Sequence, residues 1–70
     1  MMIQEGKHFR GGVIHKIRED GRCIVLDCSQ DLGCKARILL LQENGSWLTA
    51  AYCADLPEAM LTYAKKYAWR

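Results

Sequence analysis

Apolar positions along the 70-residue chain fall into four short strand-like runs followed by one helical stripe. Ala36 to Cys53 reads ARILLLQENGSWLTAAYC, two apolar runs hinged on Asn44-Gly45, and Val13 to Cys28 repeats the arrangement around Asp20-Gly21. Asn-Gly and Asp-Gly are strong hairpin signals because a two-residue type I′ turn needs positive φ at both central residues. Pairing through the first places Leu41 opposite Leu48, Leu39 opposite Ala50, Ile38 opposite Ala51 and Ala36 opposite Cys53. Through the second, Ile17 faces Ile24, His15 faces Leu26 and Val13 faces Cys28. A symmetric return through Ser29-Gln30-Asp31-Leu32-Gly33 sets Cys28 beside Cys34, Leu26 beside Ala36 and Ile24 beside Ile38.

After Cys53 the period changes from 2 to 3.6 residues, with Leu56, Met60, Tyr63 and Tyr67 on one stripe. Asp55 with Glu58 three residues on resembles a capping box, and Pro57 falls in the first turn, where it removes no helical hydrogen bond. The expected fold is therefore α+β: a four-stranded antiparallel meander with one C-terminal α-helix packed on one face, in the order β-β-β-β-α. Residues 1–70 form a single domain, with 1–12 as a flexible lead-in.

This register sorts the sheet into two faces. The first runs from Val13, His15 and Ile17 through Ile24, Leu26 and Cys28 to Cys53, is almost wholly apolar and is expected under the helix. The second carries Lys16, Arg18, Val25, Lys35, Arg37, Leu39, Leu41, Leu48 and Tyr52, and no further helix remains to bury it. Those nine residues are the candidate partner-binding surface, since an apolar patch with a charged rim is the usual anatomy of a contact. A second copy, stacking face to face as a homodimer, would cover it. The rival is an N-terminal segment folding back through Met2, Ile3 and Phe9.

Composition narrows the function only a little. Hydrophobic residues at 50% and charged residues at 26% are ordinary globular values, and a net charge of +2 does not by itself announce a nucleic-acid binder. No apolar run approaches the roughly 18 residues of a membrane span, and the polar start MMIQEGKHFRGG has no signal-peptide core, so a cytoplasmic protein without membrane contact is expected.

Four cysteines in such a chain are read as reduced, buried thiols, with no cofactor. The alternative is a small structural zinc-binding protein on Cys28, Cys34 and Cys53, which this register gathers at one end of the sheet, with His8 as the available fourth ligand. The Cys spacings are not those of usual zinc sites. With no phosphate loop, HExxH, nucleophile elbow or carboxylate pair, neither an enzyme nor a catalytic residue is expected, and His15 is read as a core histidine. The function that remains is a small non-enzymatic protein-interaction module of inhibitor or adaptor type. A nucleic-acid-binding module using Lys16, Arg18, Lys35 and Arg37 is the alternative, since Tyr52 among them resembles a stacking platform.

Overall fold

The computed structural model, which describes residues 3–28 and 35–68, makes its hairpin turns on glycines with positive φ. Gly21 (φ 72°) donates its N–H to the Arg18 carbonyl at 2.8 Å, and the Arg18 N–H reaches the Cys23 carbonyl at 2.8 Å, closing a four-residue loop. Gly45 (φ 87°) donates to the Gln42 carbonyl at 3.0 Å, and Gln42 donates to Ser46 at 2.8 Å. Asn44 stays outside the positive-φ region and uses its Oδ1 to accept the Ser46 N–H at 3.0 Å. The expected two-residue turn is thus a three-residue loop with glycine in the left-handed position, the other common way to close a hairpin.

Five strands form one antiparallel sheet in chain order: β1 His8–Phe9, β2 Gly12–Ile17, β3 Cys23–Asp27, β4 Ala36–Leu41 and β5 Trp47–Cys53. The α+β class and the C-terminal helix are as expected; the strand count is five rather than four. The added strand lies in the expected lead-in, where Phe9 pairs with Gly12 and His8 with Val13 around an Arg10-Gly11 turn. Hydrogen bonds from Gly6 to the Ile14 carbonyl (2.8 Å) and from Ile14 to the Lys7 carbonyl (2.9 Å) continue that pairing. Gly12 has no room for a side chain, since a Cβ there would lie 2.8 Å from the Cys28 Sγ.

Register departs from expectation in three places. The longer Asn44-Gly45 loop pairs Leu41 with Trp47 and Leu40 with Leu48, and a bulge that leaves Ala50 unpaired restores Ile38 opposite Ala51 and Ala36 opposite Cys53. In β2 a bulge at His15 lets Ile17 face Ile24 as expected but sets Ile14, not His15, opposite Leu26, so His15 is exposed and no core histidine. Between β3 and β4 the whole ladder is displaced by one residue: Ile24 faces Leu39, Val25 faces Ile38, and Cys28 donates to the Lys35 carbonyl at 3.0 Å. A one-residue slip exchanges the faces of every side chain. Cys23, Ile24, Val25 and Leu26 are all buried, so β3 is apolar on both sides and its pattern favours neither register.

Both faces are consequently cores. On one side Cys23, Val25, Ala36, Ile38 and Cys53 meet Ala59 and Tyr63 of the C-terminal helix. On the other, Ile14, Ile24, Leu26, Cys28 and Leu39 are closed by Ile3, Phe9, Ile17 and Trp47. The N-terminal segment folds back across the sheet, bringing Phe9 edge-on to Trp47 with ring centroids 5.8 Å apart. No helix among the described residues is long and apolar enough to cross a membrane.

The helix itself, α1 Leu56–Thr62, is capped by Asp55, whose Oδ1 accepts the Glu58 N–H at 2.9 Å, while Glu58 reaches back to the Ala54 N–H. It widens into a π-helical turn, Tyr63–Tyr67. Arg18 fastens the end of that turn: its Nη1 donates to the Tyr67 carbonyl at 2.7 Å, while Nε and Nη2 grip the Asp20 carboxylate at 2.8 Å each. The β2–β3 loop therefore holds the C-terminal end of the helix to that end of the sheet.

Candidate interaction surface

The nine sequence-predicted surface residues do not share one face. Val25 lies beneath the helix and Leu39 beneath the N-terminal segment, 0% and 1% exposed, so neither is available for contact. Lys16 pairs with Val25 and is exposed on the helix side. Arg18 is engaged by Asp20 and the Tyr67 carbonyl, and hydrogen bonding to Asp20 raises its pKa further. Lys35 and Arg37 stand on the opposite side of the sheet. The four cations expected to form one nucleic-acid cluster are thus divided between faces, because the β3–β4 slip inverts β4 relative to β2.

The apolar candidates left exposed, Leu48 and Tyr52, lie on β5. As the last strand of the meander, β5 has no strand paired to its outer edge among the described residues. Its seven residues, WLTAAYC, include no charge and no proline. Natural edge strands are commonly protected by both, or by bulges, and here the bulge at Ala50 is the only such feature. That bulge also places the two exposed apolar side chains on opposite faces: Leu48 (52% exposed) pairs with Leu40 on the helix side, whereas Tyr52 (76% exposed) pairs with Arg37 on the other.

Beside the start of β5 a groove of about 410 Å³ is lined by Ile3, Phe9, Arg10, Leu41, Gly45 and Trp47. Arg10 was absent from the sequence-based set. It occupies the left-handed region at φ 49°, the only non-glycine among the described residues with positive φ. Its carbonyl accepts a hydrogen bond from Arg37 Nη2, and its guanidinium lies over the Phe9 ring, 5.4 Å from the centroid. The available signal was Arg10-Gly11-Gly12 between Phe9 and Val13, a possible turn between apolar residues, but Arg-Gly is not a usual type I′ pair.

The thiols do not form the expected group. Cys28 packs on the N-terminal side and Cys53 on the helix side, while Cys34 lies outside the described residues. Among the described residues no three His, Cys, Asp or Glu side chains are placed to hold a metal ion. Cys23 is buried, and desolvation pushes its thiol up to about 11 against the opposing pull of Arg18, with Asp20 adding to the rise. Because the unfolded thiol, near 9.0, loses its proton first, the unfolded state binds fewer protons above that pH. Stability should be unaffected by this group below about pH 9 and fall between about pH 9 and 11, by on the order of 1–2 kcal/mol. Burial moves Tyr63 in the same direction. Melting temperatures measured from pH 8 to 11 should decline, and Cys23→Ala should flatten that decline.

Comparison of the chain with models of known protein families, with curated proteins and with solved structures finds no match.

Proposed function

We propose that the chain is a non-catalytic protein-interaction module whose contact surface is the outer edge of β5. The observation that carries this reading is an uncharged, proline-free edge strand of seven residues flanked by exposed Leu48 and Tyr52. Unpaired backbone N–H and C=O groups along such an edge accept an added strand, and the flanking apolar side chains select its sequence.

Pairing of β5 with a second copy is disfavoured in the register centred on Ala50. In a two-fold antiparallel pairing centred on Ala50, Leu48 of one copy would lie opposite Tyr52 of the other. Directly opposed residues must point to the same face, but the bulge sends these two to opposite faces. A face-stacked dimer would need the sheet surface around Leu39, which Ile3, Phe9 and Trp47 help to close.

Tyr52→Lys tests the reading, because it charges the edge at a position 76% exposed and so leaves the cores untouched. Immobilised wild-type protein should retain a specific protein from host extract after nuclease treatment, and the variant should retain at least tenfold less. That contact should persist at high salt, since it buries apolar surface and backbone rather than phosphates. Retention that disappears with nuclease or falls steeply with salt would point to nucleic acid instead, and equal retention by both proteins would remove β5 from the contact.

A further inference from the structure

We infer that the groove between the β1–β2 turn and the β4–β5 loop takes an acidic residue of the bound partner, next to a large apolar residue of the same peptide. This extends the reading of β5 as the contact edge and rests on it, since Trp47 belongs to both the strand and the groove.

Three observations specify the chemistry. The walls supplied by Ile3, Phe9, Leu41 and Trp47 are apolar and half-buried, which suits an aliphatic or aromatic side chain. The volume, about 410 Å³, lies within the range of ligand clefts. Among the described lining residues the one cation is Arg10, whose guanidinium meets an aromatic face and no carboxylate of the described residues. An anion arriving there would gain a charge-assisted hydrogen bond with bidentate geometry available to it.

Arg10 also stands where the backbone does not favour it. Asn or Gly would adopt φ 49° in the Arg10-Gly11 turn with less strain, and a left-handed non-glycine residue costs roughly 1 kcal/mol. The turn tolerates that strain while directing the side chain over Phe9 and the carbonyl toward Arg37. The position is thus unfavourable for folding and well placed for contact, the combination found where strain is kept for binding. A nucleic-acid strand fits less well, because it needs several cations along one track: Lys16 lies on the other face, Arg18 is held by Asp20, and Lys35 and Arg37, though on the groove's side of the sheet, do not line it, Arg37 being bonded to the Arg10 carbonyl.

Arg10→Asn isolates the binding role, since it relieves the backbone strain while removing the cation. A display library of random hexapeptides selected on the wild-type chain should enrich sequences with Asp or Glu within two residues of Leu, Ile, Phe or Trp. Synthetic copies of the enriched peptides should shift the Trp47 indole N–H resonance. They should bind Arg10→Asn at least tenfold more weakly, although that variant melts at or above the wild-type temperature. Peptides enriched without acidic residues, indifferent to Arg10→Asn but lost on Tyr52→Lys, would overturn the groove and leave the β5 edge standing. No enrichment at all would overturn both, and displacement of the peptides by a single-stranded oligonucleotide of higher affinity would assign the groove to nucleic acid.

Discussion

Leu39→Asp should abolish the folded state. Leu39 is 1% exposed, opposite Ile24 on β3 and Thr49 on β5, and packs with Ile14, Leu26 and Cys28 under the cover of Ile3, Phe9 and Trp47. A carboxylate there has no partner in an apolar cluster, and an uncompensated buried charge costs about 3–5 kcal/mol in addition to the lost packing of the leucine. A 70-residue domain has little to set against this, because folded stabilities of small domains are commonly near 5 kcal/mol. Circular dichroism should show an unfolded or severely destabilised chain at room temperature. Leu48→Asp, at an edge position 52% exposed, should change the melting point by only a few degrees. A Leu39→Asp protein that stayed folded and merely became more soluble would show that the N-terminal segment does not close that face.

That prediction turns on the feature hardest to read from the sequence. Asp20-Gly21 and Asn44-Gly45 marked the places of the turns, though not their two-residue form, and the change to a helical stripe after Cys53 correctly marked α1, down to the Asp55 cap. Those signals are local, carried by residues whose backbone preferences differ from their neighbours'. The facing of β3 is not local. Cys23-Ile24-Val25-Leu26 is apolar at every position, so alternation, the only sequence signal for which side chain points where, is absent from the central strand. The residue displaced at that point carries Lys35, Arg37, Leu39 and Leu41 to the opposite side from the one expected relative to β2, and the supposed binding face divides. Bulges at His15 and Ala50 compound the effect, since both follow from fitting two-sided cores rather than from any distinctive residue type. The apolar candidates that remain exposed, Leu48 and Tyr52, lie on the last strand of the sheet, where the Asn44-Gly45 signal placed them. Arg10 was not legible, because a left-handed arginine contradicts local preference and emerges only once β1 pairs with β2.

Tyr63→Asp should be nearly as damaging, for the opposite face of the same sheet. Tyr63 is 7% exposed and, with Ala59, is one of two helix residues buried against Cys23, Val25 and Ile38. It also stands where α1 passes into the π-helical turn, and its carbonyl accepts the Ala68 N–H at 2.8 Å, so the side chain anchors the segment that Arg18 fastens from the other end. Removing a large aromatic from such a site costs about 3–5 kcal/mol, and burying the new carboxylate adds to that. The helix covers one entire core with only two buried residues, so its detachment would expose Val25 and Ile38 together and cooperative unfolding should follow. Tyr63→Phe provides the control: it keeps the ring and should lower the melting temperature only modestly. Leu61→Asp, on the outward face at 55% exposure, should leave the stability within about 0.5 kcal/mol of wild type. Thermal denaturation of the three variants side by side gives the comparison, and an unchanged midpoint for Tyr63→Asp would show that the helix does not pack on the sheet through this residue.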